Sequence, residues 1–162
     1  MPADPIEYQI VKSLQTALLA ISIAGGYHFD VAALTVKLDP NHKVEDLIAP
    51  DGPRPFLIVE PTPENLQYFP ASQVRLVMPV TIHWVSDATP TDDDSRLLTY
   101  FKGCADVEKA IAKDEATRTH GGLAVDTTIV KRTFETAVDG AQVWASIDLE
   151  IVLHRTFGVP NG

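Results

Sequence analysis

The chain has one cysteine, Cys104, in 162 residues. An intrachain disulfide and a cysteine-based zinc cluster are therefore excluded. The simplest setting for such a chain is a reducing cytoplasm, or a particle assembled there. Long apolar runs are also missing. The longest, Ala17 to Gly26, is about half of the roughly 20 residues that a membrane helix requires. Positive charge is scarce: 13 Lys and Arg stand against 22 Asp and Glu, a net charge of −9. That balance argues against a general phosphate-binding surface, which needs clustered Lys and Arg. The N-terminal MPADPIEYQ is acidic and no cleavage pattern follows it, which argues against a signal peptide. Repeats of 20–50 residues and low-complexity blocks are absent. So are HExxH, GxSxG, GxxxxGK[ST] and GxGxxG, the spacings of zinc hydrolases, serine hydrolases, phosphate loops and dinucleotide sites.

What is present is an ordinary globular composition, 45% hydrophobic and 22% charged, at a length that fits a single domain over 1–162. The pattern opens on a helix. Asp4 suits the N-cap, Pro5 the first helical position and Glu7 the capping box. Ile6, Ile10, Leu14, Ala17, Leu18 and Ile21 then form one apolar stripe, with Gly25 and Gly26 as the stop. Phe29 to Leu38 reads as extended, with Val31, Leu34, Val36 and Leu38 as core candidates. A loop follows, with a helical turn at Val44 to Ala49. Phe56-Leu57-Ile58-Val59 reads as a buried strand, ended by Pro61 and Pro63.

Gln73 to Val85 alternates apolar and polar residues and is the clearest strand. Pro79 in it predicts an edge position or a bulge. Asp92, Asp93 and Asp94 lead into a second helix carrying Leu97, Leu98, Phe101, Cys104, Ala105, Val107 and Ile111. That helix should end before His120-Gly121-Gly122. Leu123–Phe134 and Gln142–Thr156 read as two strands joined by an Asp139-Gly140 hairpin. The resulting order is α-β-β-β-α-β-β. Two helices on one face of a mainly antiparallel or mixed sheet, an α+β fold, is the economical packing.

Chemistry-bearing clusters are thin. His83 and His154 can meet across paired strands. As a metal or acid–base pair they lack a third ligand, and the plainer reading is two solvated strand histidines. Asp92, Asp93 and Asp94 suit a helix start better than a Mg²⁺ site. Cys104 falls on the apolar stripe and reads as a small core residue rather than a nucleophile. No catalytic, cofactor or metal residue is expected. Trp144 stands opposite the apolar alternation of its strand, and Tyr68, Phe69 and Phe134 lie near loops or turns. With Val130 and Val152 they suit either a contact with another chain or a local cross-strand aromatic pair.

The layout from Pro5 to Pro160 resembles the tail terminator and tail completion proteins of tailed bacteriophages, the minor-tail-protein-U type. The resemblance rests on IEYQIVKSLQTALLAI, then RPFLIVEP, VRLVMPVTIHWV and DDDSRLLTYFKGCADVEKAIAKD. LAVDTTIVKRTFET and the final DGAQVWASIDLEIVLHRTFGVP complete it. It implies a non-catalytic virion protein of the tail or neck, assembled in the host cytoplasm. Such a protein forms a homo-oligomeric ring, expected to have six subunits, on the head-proximal end of the tail tube. It stops tube polymerisation and meets a neck or head–tail connector protein and, in a contractile tail, the sheath. DNA would pass through the lumen without specific binding, and an acidic lumen would keep phosphate from sticking. Loops at Asp39–Arg54, Pro61–Ser72 and Ser86–Asp94 would reach the neighbours. The expected interaction residues are Tyr68, Phe69, Asp92, Asp93, Asp94 and Trp144. A connector or neck protein of the same virion and a small α+β enzyme are the alternatives.

Overall fold

The computed structural model describes residues 4–62, 65–69, 73–87, 93–136 and 142–156, with the backbone path alone at 65–69, 73–74, 135–136 and 155–156. Helix α1 spans Ile6–Leu19 and buries Ile6, Ile10, Leu14 and Leu18, the expected stripe. Its cap differs from expectation. Pro5 takes the N-cap position with extended backbone and no side-chain cap bond, while the Gln9 side chain donates to the Asp4 carbonyl. The helix also stops at Leu19, before the glycines. Ser22 starts a separate 3-10 turn, Ile23–Gly25, and Gly26 closes that turn at φ +82°.

Strands β1 (Ala33–Val36), β2 (Phe56–Pro61), β3 (Asn65–Phe69) and β4 (Gln73–Asp87) follow. Then come α2 (Asp93–Ile111), a one-turn α3 (Glu115–Arg118), β5 (Asp126–Thr136) and β6 (Gln142–Thr156). Among the described residues the fold is thus α+β, with three helices on a mixed sheet. The sheet order is β1-β2-β4-β6-β5, with β3 also paired to β4. β1 and β2 are parallel and every other pair is antiparallel. A parallel neighbour needs a crossover. Residues 37–55 supply it and carry the expected helical turn, a 3-10 turn at Val44–Leu47.

Two additions correct the expected order. The Pro61–Ser72 segment is not only a loop, because β3 lies within it and pairs with β4 from Asn65↔Val77 to Phe69↔Gln73. The second helix is broken after Ile111, and Asp114 caps α3 by accepting from the Thr117 N–H. His120, Gly121 and Gly122 then all take positive φ and end the helical segment, as their residue types predict. Pro79 sits inside the sheet, opposite the gap between β2 and β3. There Thr62 donates both its N–H and its hydroxyl to the Pro79 carbonyl. Thr62 thus continues the β2–β4 ladder by one position, and because a strand residue's N–H and C=O point the same way, the missing proline N–H leaves one bond of that ladder unmade.

Alternation on β4 and β6 sorts the sheet into two faces. Leu76, Met78, Val80, Ile82 and Trp84 share one core with Val143 to Leu153 at alternate positions and with the buried residues of α1 and α2. Cys104 is buried in it, and burial pushes its thiol pKa up, as suits a core residue. On β5 a bulge between Ile129 and Lys131 shifts the phase. Thr127 and Ile129 face the helices before it; Arg132 and Phe134 do so after it. Arg132 therefore reaches Glu108 on α2, at 3.2 Å. Leu38, expected in the core, is 77% exposed.

Candidate functional site

The face turned away from the helices carries the molecule's main polar cluster. It follows from register. His83 of β4 lies opposite Ile58 of β2 on one side and Ser146 of β6 on the other. Glu60 and Trp144 stand two residues along the same strands, so their side chains share that face. Lys37, just past β1, continues the parallel ladder through its N–H to the Val59 carbonyl. Ile58 and Val85 on this face are fully buried, so the apolar end of the cluster is closed.

The bonding is continuous. Lys37 Nζ meets Glu60 Oε1 at 2.5 Å, and Glu60 Oε2 meets His83 Nε2 at 3.0 Å. On the other side of the ring, Trp144 Nε1 and Ser146 Oγ both stand 3.2 Å from His83 Nδ1. An indole N–H only donates. Nδ1 must therefore present its lone pair, the ring proton sits on Nε2, and His83 donates it to Glu60. Burial pushes the Glu60 pKa up, but the hydrogen bonds from Lys37 and His83 outweigh it and hold the carboxyl below its ordinary value. One strand pair further on, the Thr81 hydroxyl donates to Asp148 at 2.8 Å.

Hydroxyl, imidazole and carboxylate in line is the arrangement of an activated serine. Here the order Ser146–His83–Glu60 is present, but Trp144 shares the same Nδ1 lone pair. Ser146 and His83 are both buried. The cavities described below are lined by other residues. Its hydrogen bonds tie β2, β4 and β6 to Lys37 at the start of the crossover.

The predicted residues separate. Trp144, expected either to meet another chain or to form a local cross-strand aromatic pair, is 9% exposed and packs edge-on against His83 with centroids 5.8 Å apart. It is a cross-strand aromatic pair. His83 and His154 do not meet: His154 lies opposite Arg75, eight positions along the ribbon from Ser146. His83 is buried rather than solvated. Asp93 and Asp94 are exposed in the first turn of α2, with Asp93 3.9 Å from Arg96. Asp92 and the Asp139-Gly140 turn lie outside the described residues, and of Tyr68 and Phe69 only the β3 backbone is described.

Sequence reasoning missed Lys37, Glu60 and Ser146 as a unit, because only strand register brings them together. It also missed Asp106. That carboxylate is 1% exposed and accepts the His28 and Phe29 N–H groups and His28 Nδ1, at 2.7–3.0 Å. Lys109 donates to the Gly26 carbonyl at 2.7 Å and sits over the Tyr27 ring. Together they pin segment 26–29 to α2. The available signal was an acidic residue inside the apolar stretch Cys104–Val107.

Two of the apolar surfaces among the described residues are open and carry large side chains. A cavity of about 250 Å³ lies between α1 and the β1 edge, lined by Tyr8, Val11, Val36, Leu38, Pro61 and Met78 with Glu7, Lys12 and Gln15. Leu97, Leu98 and Phe101 project from the first turns of α2, about half exposed. Tyr100 packs between Phe101 and Phe134, at 5.2 and 5.1 Å. Of the α2 stripe read from sequence, Cys104, Val107 and Ile111 are buried, while Leu97, Leu98, Phe101 and Ala105 are exposed. Among the described residues no group of three metal-ligating side chains occurs. Comparison with protein-family models and with curated proteins finds no match for this chain.

Proposed function

We propose that this chain is a structural ring protein of a tailed bacteriophage. It caps the head-proximal end of the tail tube, stops its polymerisation and joins the tail to the neck. The observation that carries the reading is the contrast between its surfaces and its polar cluster. Large apolar side chains stand exposed at both edges of the sheet, as assembly surfaces do. The polar cluster is internally satisfied. The 15-residue β4 and β6, paired from Gln73↔Thr156 to Asp87↔Gln142, add a stiff spine for subunits that must hold a fixed shape. The packing of α1 and α2 as one layer on a mainly antiparallel sheet supports the architecture expected from the sequence. The ring has six subunits in this reading, and DNA crosses its lumen without specific contacts.

Imaging of purified tubes mixed with the chain tests this. Particles seated on one tube end and shorter tubes when the chain is present during polymerisation are expected. A chain that neither binds ends nor changes tube length sinks the reading. Binding to heads lacking tails, with no effect on tubes, favours a connector instead. The Ser146–His83–Glu60 geometry gives the enzyme reading its one observation. An esterase activity lost in both Ser146→Ala and His83→Ala would establish it.

A further inference from the structure

We infer that the cavity between α1 and the β1 edge receives the Leu98–Phe101 projection of a second copy of this chain, in a head-to-tail contact. The contact deepens the ring reading and rests on it. Three observations carry it. The two surfaces are unlike: one is a concave site of about 250 Å³, the other a convex pair of side chains, each 54% exposed. They also lie apart on the fold: the cavity is at the β1 edge of the sheet, and the projection is on the side of α2 turned away from its buried face. A surface that is not its own complement, placed away from its complement, makes a heterologous contact that propagates from copy to copy. A two-fold dimer would leave one of each exposed.

Charge gives the third observation and sets the direction. Glu7 and Lys12 flank the cavity along α1. Asp94 and Lys102 flank the projection along α2. Antiparallel approach of the two helices brings Glu7 towards Lys102 and Lys12 towards Asp94. Parallel approach sets acid against acid and base against base. Tyr8, half exposed with Lys12 over its ring, forms the lip of the cavity and supplies an aromatic face for Phe101.

Site-directed cross-linking of the intact chain tests the contact. Leu38→Cys and Leu98→Cys replace exposed side chains, and native Cys104 is buried and silent. With a short bifunctional thiol reagent, the chain carrying both substitutions should give a ladder of covalent multimers. A mixture of the two single variants should give dimers only, and each single variant alone should stay monomeric. Self-cross-linking of a single variant, or no cross-linking at the highest attainable concentration, overturns the contact. Tube-end binding by the same preparations separates this failure from failure of the ring reading, because a ring held by other surfaces would still cap tubes. Sedimentation gives a second readout. Lys102→Glu should weaken association about fivefold, and adding Glu7→Lys should restore it. Restoration by Asp94→Lys instead, or no effect of either charge, overturns the antiparallel arrangement.

Discussion

The chain's two tryptophans lie on opposite faces of one sheet and are held in opposite ways. Trp84 lies under α2, fully buried, with Phe29 tilted against it at 5.4 Å and no acceptor for its indole N–H. Trp144 lies on the other face and donates to His83. The first is fixed by shape, the second by a chain of donors and acceptors that ends on Lys37. Shape fixing tolerates an orphaned donor because the surrounding contacts outweigh it. Network fixing depends on every member being satisfied. The helix-covered face should therefore break on changes of volume, and the far face on changes of charge or donor count.

The largest expected effect is at Gly103. A Cβ there would stand 2.6 Å from Trp84 Nε1 and 2.7 Å from Cε2. Glycine inside a helix costs about 1 kcal/mol relative to alanine, so on propensity alone Gly103→Ala should stabilise. We expect the opposite, a loss of about 3 kcal/mol from overpacking. Urea unfolding measures it, and Trp84→Phe in the same chain should recover part of the loss. A Gly103→Ala chain as stable as the parent would show that the helix can lift off the sheet, and that Trp84 is not held by shape.

On the far face Glu60→Gln keeps the volume and removes the charge. Lys37 then has no anionic partner, although its side chain is only 9% exposed. A loss of about 2 kcal/mol is expected. A loss below about 0.5 kcal/mol would place the pair with ordinary surface ion pairs and remove the contrast between the faces. Trp144→Phe should cost less, about 1 kcal/mol for one neutral hydrogen bond. Its indole N–H should exchange slowly with solvent in the parent and quickly in His83→Ala, with the Trp84 signal unmoved.

The same contrast decides what the sequence discloses. Alternation on β4 and β6 and the stripe of α1 are local patterns that burial must respect, so the helix-covered face is legible. The partners of His83 are not. Glu60 is 23 residues away and Trp144 is 61, and only register brings them together. Trp144 is a large apolar residue on a polar face, which invites a contact with another chain. The structure meets that need internally, with a histidine. Leu97, Leu98 and Phe101 fail the other way. Leu98 and Phe101, with the exposed Ala105, stand on a side of α2 turned away from its buried face of Tyr100, Gly103, Cys104, Val107 and Ile111. Helical spacing alone admits two neighbouring stripes here, and only packing decides which of them is buried.

The smallest effect separates the faces by acidity. His120 links α1 to β5, with its ring nitrogens 3.2 Å from Ser13 Oγ and 3.0 Å from Thr127 Oγ1, and burial lowers its pKa from the ordinary 6.5. The unfolded chain takes up that proton at higher pH than the folded one. The His120 contribution is therefore whole above 6.5 and drains away as pH falls from 6.5 towards the folded value. Glu60 is lowered from 4.5. Its contribution is whole above 4.5 and is lost as pH falls through its own folded value. Stability measured against pH should fall in two windows, the helix side first, one opening as pH drops below 6.5 and the other as it drops below 4.5. His120→Asn, which suits the left-handed backbone at φ +51°, should flatten the upper window only, and Glu60→Gln the lower only. Asp39 and Asp114 are also lowered, by backbone hydrogen bonds, so the lower window must be read as the difference between parent and variant. If either substitution flattens both windows, the two faces unfold as one coupled unit.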